Sequence, residues 1–411
     1  MKSFALLPLV VAVSLPAVAA TPVDETLVVT ANRMATPISE VLAPVSVMTA
    51  ADIERLNISQ MSELLSRMAS IETPTSGGVG TSTSVYVRGG NTNHTLVLLD
   101  GVRINSATLG STSLQHLDVS NIERVELVRG PASSLYGADA VSGVLQIISK
   151  KVAGKHFTVS SELGSNDWQN TNVRLGNGSD TTQWSLALGY EELGGFDRLT
   201  LDTFHNDDED SYRNTKLSGN LSHQWSDVVS SRFSVQHNDG ETESDNECLN
   251  GFYAEVACKP YAEFKQELYN LDNTWQVNDS LLLKAQLAHS VDTSKNFDDV
   301  ASAAEVAGSD TYMITRKDTL VLQGDYRLSD TLAMVLGGEY ITDEVESSSA
   351  YSSKDRDNKA FFGVLNYDLG KHSLQVGLRN DDNEAFGRRT TESVAWGFQL
   401  AESLRLIASW G

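Results

Sequence analysis

The feature that most constrains the fold of this chain is a two-residue alternation of apolar and polar side chains from about residue 157 onwards. One such segment carries apolar Trp184, Leu186, Leu188 and Tyr190 on its even positions. The same alternation recurs at residues 217–225, 229–236, 281–288, 373–379 and 394–401. Because successive side chains of a β-strand point to opposite faces, this period predicts a sheet with one apolar and one polar face.

An antiparallel sheet in water would show the same alternation, with its apolar face on a protein core. Three observations favour lipid instead. The segments reach about 10 residues, enough for a tilted strand to cross a bilayer. Short turns alternate with long acidic loops, as in outer-membrane barrels. Aromatic residues fall near segment ends, at Tyr190, Trp225, Trp275 and Tyr367. A sheet in lipid must close into a barrel, since lipid cannot hydrogen-bond to the backbone. A soluble all-β binding or adhesion protein of the periplasm is the alternative.

The first 20 residues predict export. They contain one cation, Lys2, then an apolar run, then small residues at Ala17 and Ala19, which is the pattern of a cleaved secretory signal peptide. The alternative is a transmembrane helix, but the run is short and is interrupted by Pro8 and Pro16.

Between these regions, residues 37 to about 155 predict a compact α/β domain. A helix start is expected at Thr49, and strands are expected at 84–88, 95–99, 123–128 and 143–149. Buried charges need partners, so ion pairs are expected among Arg88, Arg124, Arg129, Asp100, Glu123 and Glu126. Such pairs either only seat the domain on the sheet or hold it in a metastable position that force can loosen.

Two segments carry a family resemblance: IERVELVRGPASSLYGADAVSGVLQIIS at Ile122–Ser149, and ETLVVTA at Glu25–Ala31. Together they resemble the plug domain and the TonB box of TonB-dependent outer-membrane transporters, and the second is most similar to that of the cobalamin transporters. The resemblance implies a transmembrane antiparallel β-barrel of about 22 strands with an N-terminal α/β plug in its lumen. It divides the chain into a signal peptide (1–20), a periplasmic tail (21–36), a plug domain (37–155) and barrel strands (156–411).

The resemblance also implies that the segment near the mature N-terminus binds TonB. Its centre has high strand propensity and no helical period, so it can add to the edge of a partner's sheet. The alternative is an ordinary edge strand of the plug. The residues concerned are Glu25, Thr26, Leu27, Val28, Val29, Thr30 and Ala31.

Two plug loops, 76–84 and 105–115, are rich in Gly, Ser, Thr and Asn. Such loops present backbone groups and hydroxyls to a polar ligand, and the resemblance implies that they form the floor of the substrate site. A solvent-exposed loop without ligand is the alternative. The candidate substrate-binding residues are Thr81, Ser82, Thr83, Ser84, Asn105, Ser106, Thr108 and Leu109.

Acidic residues cluster on neighbouring predicted loops of the sheet. Calcium takes 6–8 oxygen ligands, and the resemblance implies a loop-ordering calcium site there. A solvated acidic surface is the alternative. The candidate ligands are Asp197, Asp208, Asp210, Asp239 and Asp245. Beside them, Cys248 and Cys258 predict a loop disulfide in an exported protein, with two free thiols as the alternative.

The net charge of −23 argues against nucleic acid as a partner, and no catalytic motif is present, so an enzyme is not expected. About 12 or 13 strands are expected after residue 156, fewer than the family's barrel, so the sequence is interpreted as C-terminally truncated. The predicted function is import of cobalamin or a related corrinoid, with TonB and outer-membrane lipid as partners. A ferric-siderophore or haem receptor is the alternative, and Tyr253, Tyr261 and His205 are the candidate ligands for haem.

Overall fold

A computed structural model of the protein describes residues 28–29, 33–34, 36–151, 154–197, 209–244, 259–298, 310–401 and 404–411. The N-terminal part, up to residue 151, is a mixed α/β domain, here called the plug. The rest forms one large antiparallel sheet, here called the wall. Within these ranges no helix is long and apolar enough to cross a membrane.

The plug is built on a five-stranded sheet flanked by short helices. Its strands are β1 (Val28–Val29), β2 (Thr36–Pro37), β3 (Val45–Thr49), β4 (Ile71–Glu72), β5 (Tyr86–Val87), β6 (Thr95–Leu99), β7 (Val102–Arg103), β8 (Ile122–Arg129) and β9 (Gly143–Ser149). Its helices are α1 (Ala50–Leu56), α2 (Met61–Ser66), α3 (Ser133–Tyr136) and 3₁₀ turns at Ile38–Glu40, Thr92–His94, Leu114–His116 and Val119–Asn121. The main sheet has the order β3-β8-β9-β6-β7, with β6 and β9 parallel. Two small sheets, β1-β2 and β4-β5, stand apart.

Local sequence accounts for most plug elements. Thr49 caps α1 as expected: its hydroxyl accepts from the Asp52 amide, and the Asp52 carboxylate accepts from the Thr49 amide. Asn57 then adopts φ 51°, which ends α1 and separates it from α2. The strands at 95–99 and 143–149 are found as predicted. The strand expected at 84–88 is shorter, because Arg88 has φ 51° and leaves the extended region.

The wall consists of 13 strands, each paired antiparallel with the next in sequence, as the alternation predicted. They are β10 (His156–Leu163), β11 (Gln169–Gly178), β12 (Thr182–Leu193), β13 (Tyr212–Ser226), β14 (Val229–Glu243), β15 (Tyr261–Asn278), β16 (Leu281–Phe297), β17 (Thr311–Ser329), β18 (Leu332–Ser347), β19 (Asp355–Leu369), β20 (His372–Asn383), β21 (Gly387–Ala401) and β22 (Leu404–Trp410). Turns of two or three residues join these strands at one end, the short-turn end. The connections at the other end, the long-loop end, are longer, except for the three residues between β20 and β21.

The two faces of the wall differ as the sequence predicted. Outward apolar side chains such as Trp184, Leu188, Trp225 and Leu336 are exposed. Inward side chains are polar and are buried against the plug, among them Asn172, Asn214, Lys216, Asn270 and Thr319. The plug's apolar clusters extend into the wall at Leu268, Ala288, Val321 and Phe362. The plug is therefore held by the wall through both apolar packing and polar contacts.

Substitution of Gly80 tests how closely the plug packs against the wall. A Cβ atom at Gly80 would overlap the Tyr212 ring, whereas one at Gly89 would meet nothing within 4 Å, and both glycines have left-handed φ (+78° and +75°). Gly89→Ala is expected to lower the free energy of unfolding by about 1–2 kcal/mol through backbone strain alone. Gly80→Ala should cost roughly 1–3 kcal/mol more through overpacking. Denaturant unfolding of the two purified variants measures the difference, and equal losses would contradict this close fit.

Candidate functional site

The predicted TonB-binding segment lies mostly outside the described residues, which include only Val28 and Val29 of its seven. These two form β1, which pairs antiparallel with Thr36–Pro37, so the chain turns back on itself immediately after the segment. Arg33 lies at this turn with a left-handed φ of 59°. The arrangement directs the Arg33 side chain into the seam between plug and wall.

Arg33 belongs to a buried cluster centred on the Glu339 carboxylate of β18. Its Nη2 lies 2.8 Å from Glu339 Oε2, while Nη2 of Arg379 and Nη2 of Arg103 lie 2.7 and 3.2 Å from Oε1. The Arg33 guanidinium also stacks over the rings of Tyr136 and Phe362, at 4.8 and 4.2 Å from their centroids. One carboxylate thus joins the tail, the plug and two wall strands.

Further contacts balance the excess positive charge of this cluster. Asp381 binds Arg379 through both carboxylate oxygens, each at 2.8 Å. Asp139 lies 3.6 Å from Arg103, and Arg103 also donates to the Tyr136 carbonyl. Planar guanidinium groups suit such multidentate pairing. The Arg33 carbonyl accepts from Gln323 Nε2 at 3.0 Å, so its backbone is held as well as its side chain.

A second plug–wall ion pair involves a residue that the sequence analysis selected. Asp100 Oδ1 lies 3.1 Å from Arg232 Nη2 of β14, and the Asp100 carboxylate also accepts from the Ser149 amide and hydroxyl. Arg124 pairs within the plug with Glu126 at 2.8 Å and with Glu123 at 3.1 Å, as expected. In the described part of the chain neither Arg88 nor Arg129 lies in an ion pair, and Arg129 instead donates to the Ala69 carbonyl.

At the long-loop end, His116 of the plug packs into an aromatic seam with the wall. Its ring stacks on Phe264 at 3.4 Å and faces Tyr212 at 6.1 Å. Burial, with a smaller contribution from the nearby Lys216 ammonium, lowers the pKa of His116 to about 3. The ring is therefore neutral at physiological pH and packs as an aromatic group. Beside it, Lys216 Nζ donates to Glu191 at 2.6 Å, and Gln60 of the plug donates to the same carboxylate.

Both predicted substrate loops lie at the long-loop end, where Gly80 meets Tyr212 and the Thr108 hydroxyl contacts Met313 at 3.0 Å. Several candidates are engaged inside their own loops. Asn105 accepts from the Val97 amide and donates to the Thr95 and Gly110 carbonyls, and Thr81 donates to the Gly78 carbonyl. The buried candidates are Thr81, Thr83 and Asn105, the partly buried ones are Ser84, Ser106 and Thr108, and the exposed ones are Ser82 and Leu109.

The candidate calcium ligands are not brought together among the described residues, which contain no group of three or more His, Cys, Asp or Glu able to hold a metal ion. Asp210 is buried, and its amide donates to the Phe196 carbonyl next to Asp197. Asp239 alternates with inward-facing Asn238, so its side chain lies on the outward face of β14. Asp208, Asp245, Cys248 and Cys258 lie outside the described residues, as do Tyr253 and His205. The calcium site and the disulfide remain predictions.

Sequence reasoning missed the cluster around Glu339. A signal was available, because Glu339 and Arg379 are charged residues at inward-facing positions of their strands, and buried charges need partners. Their partners Arg33 and Arg103 lie 306 and 236 residues away from Glu339, and no local pattern specifies contacts at such separations.

Removal of the Glu339 charge tests the cluster. Glu339→Gln would leave three desolvated guanidinium groups short of a carboxylate, with an expected loss of about 3–5 kcal/mol in the free energy of unfolding. Glu344→Gln is the matched control on the same strand, since the Glu344 side chain is 60% exposed and pairs only with Arg316 at 3.7 Å. That change should cost roughly 0–1 kcal/mol. Denaturant unfolding measures both, and equal effects would show that the cluster contributes no stability.

His116 gives a pH dependence of definite sign. Its pKa is lowered to about 3 in the folded protein, so the unfolded chain takes up a proton first as the pH falls. Stability is full above pH ~6.5 and is lost towards pH 3, by about 2 kcal/mol at pH 5. His116→Phe keeps the stacked ring without the titrating group. Its melting temperature should therefore fall less between pH 7 and pH 5 than that of the parent; parallel curves would refute the assignment.

Comparison with known proteins places this geometry in a family. The sequence model described as TonB-dependent Receptor Plug Domain matches residues 37–144, and the one described as TonB dependent receptor-like, beta-barrel matches residues 157–411. Two curated relatives named Vitamin B12 transporter BtuB are each 30% identical: one from Photobacterium profundum over 392 residues, one from Vibrio vulnificus over 395 residues. The alignments cover 94% of this chain and 62% of each relative, so the chain spans under two thirds of their length.

Solved structures agree on the fold. The siderophore receptor PirA from Acinetobacter baumannii superposes with a TM-score of 0.73 at 17% identity, covering 89% of this chain and 60% of that one. The ferric yersiniabactin uptake receptor FyuA from Yersinia pestis gives 0.70 at 14% identity, covering 90% and 64%. Receptors of this kind are not enzymes, in agreement with the sequence analysis. On the matches to its plug and to its wall, the chain belongs to the TonB-dependent receptor family.

Proposed function

We propose that this protein acts in TonB-dependent import of cobalamin or a related corrinoid across the outer membrane of a Gram-negative bacterium. The position of Arg33 carries the coupling part of the proposal. It follows β1 within four residues and is fixed to the wall by Glu339 at 2.8 Å. A force applied to the segment Glu25–Ala31 by TonB would therefore reach this ion pair before it reaches the body of the plug.

The strand β1 supports the choice of TonB as partner. Among the described residues its pairing joins Val28 and Val29 to Thr36–Pro37, and such strand pairing can be exchanged for the edge of another protein's sheet. Once Arg33 leaves the cluster, Glu339 keeps Arg103 and Arg379 as partners. The plug would stay seated after the tail is pulled out, which separates release of the tail from movement of the plug.

The ligand assignment rests on the two relatives named vitamin B12 transporters, which share 30% identity along 94% of this chain. The site would be the long-loop end of the plug. There Ser82 and Leu109 are exposed, and buried Asn105 and Thr81 hold the loop backbones in place. Calcium on the acidic wall loops would order the outer part of this site. Lipid would contact the outward apolar face of the wall.

A ferric-siderophore receptor is the second candidate. The siderophore receptors superpose with TM-scores of 0.70 to 0.73, but at 14–17% identity this likeness supports only the fold. Of the three candidate haem ligands, Tyr261 lies within the described residues, and its ring stacks on Phe297 at 4.8 Å. That contact gives the tyrosine a packing role and leaves corrinoid as the stronger proposal.

Binding and uptake are best tested separately. Cells producing the protein should bind labelled cyanocobalamin and should not bind ferric enterobactin; the reverse result would select the siderophore alternative. A chelator of calcium should weaken the binding, and unchanged affinity would remove the metal from the proposal.

Deletion of Glu25–Ala31 should abolish uptake and leave surface binding intact, because the ligand site proposed at the long-loop end does not include this segment. As a matched control, replacement of Ser39 and Glu40, exposed residues that follow β2, should leave both activities unchanged. Normal uptake after the deletion would refute the coupling role.

A further inference from the structure

A chamber of about 640 Å³ lies between plug and wall. It lies at the short-turn end, since its lining reaches Asp180 and Thr181 in the turn between β11 and β12. Its wall side is formed by β12 to β18, and its plug side by β6 to β9, with Arg33 and Tyr136 of α3 at its margin. Its volume lies within the range of about 300–1,000 Å³ that is typical of ligand pockets.

The lining of the chamber is charged and incompletely satisfied. Charged side chains from both sides face it, among them Arg124 and Lys151 of the plug and Arg232, Asp272 and Lys284 of the wall. Arg232 Nε and the hydroxyl of Thr319 are buried without a hydrogen-bond partner in the described protein, and Thr319 is only 6% exposed. Buried polar atoms without protein partners normally bind water or a polar ligand. The chamber is therefore suited to polar contents.

The plug crosses this chamber at one turn, Asp100–Gly101. Asp100 pairs with Arg232 at 3.1 Å, and a Cβ atom on Gly101 would lie 3.3 Å from Gln286 Nε2 of β16. Both wall partners line the chamber. Separation of this turn from β14 and β16 would open the chamber along these two strands, towards the long-loop end.

On β20 and β21 the plug contacts the wall through α3, beside a second space of about 410 Å³ that Ser134 and Ser393 also line. The hydroxyls of Ser134 in α3 and Ser393 in β21 are 2.5 Å apart, and a Cβ atom at Gly377 would lie 2.7–2.8 Å from both of them. Arg379 donates to the Leu135 carbonyl, and Thr391 donates to the Ser133 carbonyl. At these contacts α3 lies directly on the two strands.

We infer that the imported ligand leaves through the chamber, between the Asp100–Gly101 turn and strands β14–β16, while α3 stays seated on β20 and β21. The inference rests on the proposed function. The ligand class is a bulky molecule with a polar amide or phosphate periphery, because most side chains that line the chamber are charged or can hydrogen-bond. The route opens when the Asp100–Arg232 ion pair separates, and water in the chamber then hydrates both side chains.

Two reversible tethers test the route. In a Cys248→Ser, Cys258→Ser background, Gly101→Cys with Gln286→Cys is joined by a short disulfide-containing crosslinker. Ser134→Cys with Ser393→Cys is joined by a direct disulfide. The chamber tether should lower import of labelled cyanocobalamin by about tenfold or more, as expected for a blocked gating step, and leave surface binding unchanged. The α3 tether should change import by less than about twofold.

Reductant added to the same cells should restore import through the chamber-tethered variant, which excludes misfolding of Gly101→Cys. A second measurement uses a photoreactive phenylalanine analogue. At Gln286 it should capture labelled cyanocobalamin in energised cells, and at Thr391 it should not. Equal loss of import with both tethers, loss with the α3 tether alone, or capture only at Thr391 would overturn the route. If the untethered background binds or imports no cyanocobalamin, the proposed function fails and the route fails with it.

Discussion

The seating of the plug depends on one carboxylate, that of Glu339, on which three guanidinium groups converge. A lone carboxylate buried at this depth would be strongly destabilising, and so would any of the three cations without it. The partners come from the tail, from β7 of the plug and from β20 of the wall, so one carboxylate of β18 holds all three parts. The electrostatic requirement thus fixes the relative placement of three segments distant in sequence.

This requirement explains why the inward face of the wall is polar although it is buried. The wall's outward side chains are apolar and exposed, so period-two alternation leaves the inward face for polar residues. Those residues then need partners, and the plug supplies some of them: Gln60 donates to Glu191, and Asp100 pairs with Arg232. The plug therefore satisfies part of the hydrogen bonding of the inward face.

The sequence predicted the wall and the main plug strands because both follow from local periodicity. Periodicity predicted the strands at 95–99 and 143–149 and the approximate number of wall strands. The division of α1 and α2 at Asn57 and the short β5 depend on single left-handed residues, which composition does not reveal. The pairing of Asp100 with Arg232 was beyond reach, since an acidic residue at a tight turn has many candidate cations and only the folded register selects one. Residue-type reasoning also grouped Asp239 with Asp210, although strand alternation places Asp239 outward.

The two plug–wall ion pairs differ in exposure, and this difference orders the events of opening. Glu339 has a 2% exposed side chain, and Arg379 and Arg103 are 1% and 8% exposed, so unpaired charges there would be poorly hydrated although Glu339 and Arg103 also line the chamber. Arg232 is 18% exposed and borders a polar chamber, so its charge is readily hydrated once Asp100 leaves. The cost of separating charges falls steeply as the local dielectric constant rises. Under an applied force the Asp100–Arg232 pair should separate while Arg103 and Arg379 stay bound to Glu339. Helix α3 lies on the side of the plug that stays bound.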